Sequence, residues 1–145
     1  MDDGLALGLL PVTDDIDTAG FWDAARQHRL VIRTCRQCQA TIHMPMAHCA
    51  QCGSWDGYWR DVSGRGRLHS WTVVEHQVHP SYPVPYTIVL VDLDDAPGAR
   101  LVGRLDGAPE LHPGQSMEVH FEPIGEDVVL PNWQPAASPE TSSAT

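Results

Sequence analysis

The chain predicts a mainly β protein: a short N-terminal helix, a small metal-holding ribbon, then a five-stranded Greek-key barrel of the OB type. Three observations carry this. Its only cysteines form two matched pairs, Cys35-x-x-Cys38 and Cys49-x-x-Cys52, about ten residues apart. Past Gly64-Arg65-Gly66, short runs of β-branched, aliphatic and aromatic residues recur between Pro- and Gly-bearing turns. No long helical period intervenes among those runs, which favours a small closed barrel over a sandwich.

Residues 1–17 show no sustained period and are expected to be a flexible N-terminus. From Thr18 to His28 a helix is predicted, with Thr18 as cap and Phe21, Trp22, Ala25 and His28 near helical spacing. A helix of barely three turns is marginal alone in water, so its own ribbon or another subunit must hold it. The Phe21-Trp22 pair therefore has two readings, core packing or an anchor on a partner. Helix and ribbon are assigned to residues 18–62 and the barrel to 63–133. The Pro-, Ser-, Ala- and Thr-rich stretch 134–145 is expected to be a disordered tail.

Leu30-Val31-Ile32-Arg33 reads as a strand entering the first knuckle, and Thr41-Ile42-His43-Met44-Pro45 as the turn and strand between knuckles. Within a Cys-x-x-Cys, the two intervening residues let both sulfurs reach one ion while backbone N–H groups turn toward the thiolates. Four soft thiolates in a tetrahedron suit Zn²⁺. Cys52-Gly53 supplies the residue that a tight turn at positive φ needs. Two disulfides would require an oxidising compartment. Met1-Asp2-Asp3-Gly4 is acidic where a signal peptide would be basic, so the expected setting is cytoplasmic. A redox dithiol needs one such pair, not two. Iron fits the same thiolates, and spacing does not separate it from zinc. A four-cysteine site is closed, whereas catalytic zinc keeps a position open, so the metal is expected to be structural. His43 and His48 are read as neighbours of the site, not ligands.

Five strands are predicted in the barrel: Leu68–Glu75, Tyr86–Leu93, Arg100–Leu105, Met117–Glu122 and Val128–Leu130. The second is almost continuously apolar, as in a strand covered on both faces, while Met117, Val119 and Phe121 alternate with polar residues. His112-Pro113-Gly114-Gln115 fits a type II turn. Three prolines stiffen the stretch His76–Pro85, holding its aromatic and imidazole groups outward where OB-folds often bind ligands. Glu75, His76 and His79 imitate an acid–base set. No serine or cysteine nucleophile sits in a recognisable elbow, however, and the cysteines are engaged. No catalytic residue is assigned, and His76, His79 and Tyr82 are candidate partner contacts or parts of a rigid connection. Gly64-Arg65-Gly66-Arg67 lacks the strand–loop–helix setting of a phosphate cradle and reads as a turn.

A chain of 145 residues suits one compact domain or two very small ones, and no apolar run approaches the ~20 residues of a membrane span. The formal charge of −10 argues against binding nucleic acid or anionic lipid. All basic residues are arginine, which excludes Schiff-base chemistry on lysine. Seven arginines face two aspartates between Arg26 and Arg67, a net +5, and the remainder nets −15. Arg33 and Arg36 are expected either to offset a −2 zinc–thiolate centre or, with Arg65 and Arg67, to form a face that grips phosphates bidentately.

Several motifs occur in a set order. Phe21-Trp22-Asp23 leads to Arg29-Leu30, followed by the paired knuckles, Val62-Ser63-Gly64-Arg65-Gly66 and Trp71-Thr72-Val73-Val74. Pro83-x-Pro85-Tyr86, Val91-x-Leu93, Pro113-Gly114 and Val129-Leu130-Pro131 complete the series. In this order the chain resembles the acyl-CoA-associated family that joins a rubredoxin-like zinc ribbon to an OB-fold, over about residues 18–133. It departs from the family pattern at Gln39, where glycine is common, and at Met44-Pro45-Met46, where Pro-Pro-Arg is common.

The resemblance implies an accessory subunit of a thiolase-superfamily enzyme, either a thiolase or a thiolase-like retro-aldolase acting on acyl-CoA thioesters, including steroid side chains. The partner would supply the catalytic residues. Helix and ribbon would dock on it, and the OB domain would shape entry of the CoA thioester. Two alternatives are a free-standing acyl-CoA-binding module and, against the acidic charge, a single-stranded nucleic-acid-binding OB protein.

Overall fold

The computed structural model describes residues 9–137. The parts of the expected flexible N-terminus and tail at 1–8 and 138–145 lie outside the described residues. Helix α1 spans Ala19–Arg26. Eight strands follow: β1 Val31–Cys35, β2 Thr41–Ile42, β3 Gly57–Asp61, β4 Arg65–Val74, β5 Tyr86–Leu93, β6 Arg100–Asp106, β7 Ser116–Ile124 and β8 Val128–Pro135. The protein is mainly β, with a ribbon followed by an OB-type barrel, as the sequence predicts.

Helix α1 starts without help from the Thr18 side chain, which makes no capping bond. The Asp15 carbonyl accepts the Thr18 and Ala19 N–H groups instead, at 3.1 and 2.8 Å. This backbone turn satisfies donors that a side-chain cap would otherwise serve. The helix is held by its own chain. Ala24 and Ala25 are buried, Phe21 packs on the barrel core, and Gly20 lies against the Trp59 indole of β3.

The ribbon is a three-stranded antiparallel sheet in the order β2-β1-β3, with Arg33 opposite both Ile42 and Trp59. Strand β3 was not foreseen in the sequence, because Gly57-Tyr58-Trp59-Arg60-Asp61 has no alternating apolar pattern and is half-buried along most of its length. Leu30 and Ile32 pass into the barrel's apolar cluster beside Leu68, Val89, Val91, Met117 and Trp133. Ribbon and barrel thus share one core, and a second small cluster of Cys35, Ile42 and Cys49 packs under the knuckles.

The barrel sheet runs β6-β5-β4-β7-β8, antiparallel throughout. Strand β5 departs from the expected two-sided burial. Thr87, Val89, Val91 and Leu93 are buried, while Tyr86, Ile88, Leu90 and Asp92 are only half-covered. Two of these outer residues, Tyr86 and Ile88, line a cleft. Strand β8 continues past Trp133 into Gln134 and Pro135, pairing with Glu118 and Met117. Strands β6 and β8 close the barrel through side chains: Gly103 lets Trp133 approach, and Asn132 Oδ1 accepts the Arg104 N–H at 3.0 Å.

Candidate metal centre and the cleft beside it

Cys35 ends β1 and Cys38 follows one tight turn later, while Cys49 and Cys52 sit on a second turn before β3. The two turns repeat each other. The N–H of Gln39 donates to the Cys35 carbonyl at 2.9 Å and that of Gly53 to the Cys49 carbonyl at 2.8 Å. The N–H of Cys35 donates to Ala40 and that of Cys49 to Ser54, at 2.9 and 2.8 Å. Each turn aims N–H groups at its sulfurs: Gln37 and Cys38 at Cys35, Ala40 at Cys38, Gln51 and Cys52 at Cys49, Ser54 at Cys52.

The four sulfurs lie within 4.8 Å of one another. Cys35–Cys52 and Cys38–Cys49 are each 3.6 Å apart, far beyond a disulfide. A tetrahedron with Zn–S near 2.3 Å has edges of roughly 3.8 Å, so the cage fits that ion. The donor chemistry also calls for a cation. Backbone N–H donation, led by Cys38, draws the Cys35 thiol down to about 7. The Ala40 N–H lowers Cys38, but burial and the three neighbouring sulfurs prevail and push it up to about 12. Cys49 is likewise lowered, chiefly by the Cys52 N–H. Cys52 is raised, because burial and the sulfurs of Cys35 and Cys49 outweigh the Ser54 N–H. Four thiols this close cannot all ionise by themselves, and a divalent ion among them removes the conflict.

Neither ribbon histidine belongs to the cage. His43 Nε2 sits 2.6 Å from the Arg100 carbonyl, tying ribbon to β6, and His48 lies tilted on the exposed Trp55. Arg65 and Arg67 share the exposed face of β4, whereas Arg33 and Arg36 sit on the ribbon. Arg33 lies over the Trp59 ring at 5.5 Å, and Arg36 lies over Tyr58 at 4.7 Å while pairing with Asp56. Arg67 bonds Ser116 Oγ at 3.1 Å. Arg65 is exposed and has no ion pair among the described residues.

Phe21, Trp22 and Tyr82 come together on a cleft of about 560 Å³ between α1, β5, β6 and β8. Phe21 and Trp22 meet edge to face at 5.2 Å. His79 stands 6.4 Å from Tyr82, and His76 is exposed on the loop outside the cleft. Sequence reading missed Arg104, which enters this cleft over Tyr82 at 5.2 Å and Tyr86 at 6.0 Å. Its only signal was to be an arginine amid the acidic barrel, two residues from Asp106. No helix among the described residues is long and apolar enough to cross a membrane.

A closed four-thiolate ribbon sharing its core with an OB barrel defines the class: rubredoxin-like zinc ribbon plus OB-fold. Residues 22–55 match the ChsH2 rubredoxin-like zinc ribbon domain and residues 59–122 the ChsH2 C-terminal OB-fold domain. The chain belongs to the ChsH2 family, and its metal is a structural zinc held by Cys35, Cys38, Cys49 and Cys52. It is 35% identical over 128 residues to a probable enoyl-CoA hydratase alpha subunit of Thermomonospora curvata, covering 87% of this chain and 40% of that one. It is 33% identical over 121 residues to the 3-oxo-4,17-pregnadiene-20-carboxyl-CoA hydratase alpha subunit of Mycobacterium tuberculosis, covering 82% and 38%. The chain therefore spans about 40% of the length of these curated relatives. A solved structure, the Ltp2-ChsH2(DUF35) aldolase, superposes with TM-score 0.79 at 31% identity, covering 88% of this chain and all of that one. A DUF35 protein of Sulfolobus solfataricus shares the fold at 12% identity and TM-score 0.53, with 70% and 75% covered.

Proposed function

We propose that the chain is a non-catalytic, zinc-stabilised accessory subunit of a thiolase-superfamily enzyme acting on acyl-CoA thioesters in steroid side-chain degradation. The observation that supports this best is the likeness, across the whole of that chain, to the Ltp2-ChsH2(DUF35) aldolase. The thiolates, which would be the chain's strongest nucleophiles, are committed to the metal. Helix α1 and the ribbon dock on the partner. The cleft of Phe21, Trp22 and Tyr82 lies along the route of the thioester, and His76 and His79 extend the contact from the loop. Of the four candidate arginines, Arg65 is the one without an acidic or aromatic partner among the described residues, so it carries the proposed phosphate contact.

The test is to use the full chain as bait in a lysate of its own organism. A thiolase-superfamily protein should be retained, and its cleavage of a steroid side-chain CoA thioester should rise when the chain is added. Trp22→Ala with Tyr82→Ala should weaken retention while leaving the zinc content unchanged. A chain that turns over the thioester unaided would refute the accessory role.

A further inference from the structure

Strand β4 is protected along only part of its length. Strand β7 pairs with it at Arg65, Gly66 and Arg67, and Gly114 and Gln115 bond to Leu68 at 2.8 and 2.9 Å. At Leu68/Ser70 a bulge bends the strand, and from Ser70 to Val74 its partner among the described residues is β5 alone. Every second residue of that stretch turns its N–H and C=O to the open side. Edge strands are usually guarded by lysine, proline or charge. Ser70-Trp71-Thr72-Val73-Val74 has none of these, and Ser70, Trp71, Thr72 and Val73 are all exposed. The opposite edge strand, β6, by contrast carries Arg100, Arg104 and Asp106.

We propose that this edge pairs with the same edge of a second copy of the chain, antiparallel about a two-fold axis at Thr72, making a continuous sheet across a homodimer. The unpaired stretch from Ser70 to Val74 is centred on Thr72, so both copies offer equal lengths. In that register Trp71 lies opposite Val73 of the second copy and Thr72 opposite its own equivalent. Aromatic–β-branched and Thr–Thr pairs are among the favourable cross-strand neighbours. The flanking residues are His69 at one end and Glu75 at the other, so no like charges meet. A two-fold contact must be self-complementary, and this segment is.

Sedimentation of the full zinc-loaded chain should show twice the chain mass of 15.9 kDa with rising concentration. Thr72→Lys should weaken self-association by on the order of 10-fold or more, with the melting temperature unchanged at dilutions where both chains are monomeric. Mild oxidation supplies a register test. Residues facing each other across the axis have Cα atoms roughly 4.5–5.5 Å apart, within disulfide range. Residues two positions off the axis are roughly 14 Å from their equivalents. Thr72→Cys should therefore cross-link between chains, and Val74→Cys should not. Equal cross-linking of both variants, or a monomer up to millimolar concentration, would overturn the proposal. So would a monomeric chain whose Thr72→Lys variant loses a partner protein that it otherwise retains, since the edge would then belong to a foreign strand. Sedimentation and cross-linking use the isolated chain, so they fail or succeed independently of the proposed function.

Discussion

Gln39 and Gly53 occupy the same position in the two knuckles, and both stand at positive φ, +62° and +76°. Each donates its N–H to the carbonyl of the first cysteine of its pair. Glycine adopts this conformation freely, whereas a residue with a Cβ is strained there by roughly 1–2 kcal/mol. The Gln39 side chain recovers part of that by donating to the Arg36 carbonyl at 2.8 Å, an exposed bond that water can replace. Gln39→Gly should therefore stabilise the zinc-loaded chain by about 1 kcal/mol in urea unfolding. Gly53→Ala, whose Cβ would meet nothing within 4 Å, should cost about the same through backbone strain alone. Equal effects of the same sign would break the equivalence.

Zinc removal should be felt beyond the ribbon. Strand β1 carries Cys35 at one end, and Ile32 on the same strand, with Leu30 before it, lies in the barrel core. Chelation, or Cys35→Ser, is expected to lower the melting temperature of the whole chain by on the order of 10 °C or more, in one transition. Two separate transitions, with the barrel melting unchanged, would show that the shared core transmits nothing. Zinc must displace protons, above all from Cys38, held near 12. Apparent affinity should therefore climb with pH throughout the range below the Cys38 value, with protons released on binding.

The barrel seam depends on a missing side chain. A Cβ on Gly103 would lie 2.6 Å from Trp133 Cδ1 and 3.2 Å from its backbone nitrogen. Trp133 is 2% exposed and has no room to yield. Gly103→Ala should cost about 1–3 kcal/mol, read as a fall in the urea midpoint at constant slope. Arg104 should lose its bond to Asn132 as the strands part.

Local chemistry explains what the sequence disclosed. The knuckles were legible because four thiolates and a positive-φ glycine leave few other arrangements. Strands β4 to β7 were legible because turn residues bracket β-branched runs. What escaped depended on contacts distant along the chain. Strand β3 exists because Trp59 lies between Gly20 of α1 and the Arg33 guanidinium, a sandwich with no periodic trace. The cleft that Phe21 and Trp22 line left no trace in their spacing, because its other wall comes from β5, β6 and β8. The arginine face expected from the charge split dissolved because Arg33 and Arg36 lie on ribbon aromatics while Arg67 turns to Ser116.

Asp92 offers a pH test outside the metal centre. Partial burial pushes its carboxyl up. The Arg100 Nε–H at 2.6 Å and the His69 ring at 3.1 Å more than reverse this, leaving it below the usual carboxylate range. A group with a lowered folded pKa stabilises fully above its unfolded value, near 3.9, and loses that contribution as pH falls through the folded one. With the side chain 42% exposed, solvent screening holds the contribution under about 1 kcal/mol. Carboxyl-carbon NMR should place the Asp92 midpoint below the ordinary aspartate value, and Arg100→Gln should move it upward. His69→Gln should move it less, because the arginine supplies both a shorter hydrogen bond and a permanent charge. A midpoint unmoved by Arg100→Gln but raised by His69→Gln would transfer the effect to the imidazole. The Asp92 titration would then depend on the protonation of its neighbour.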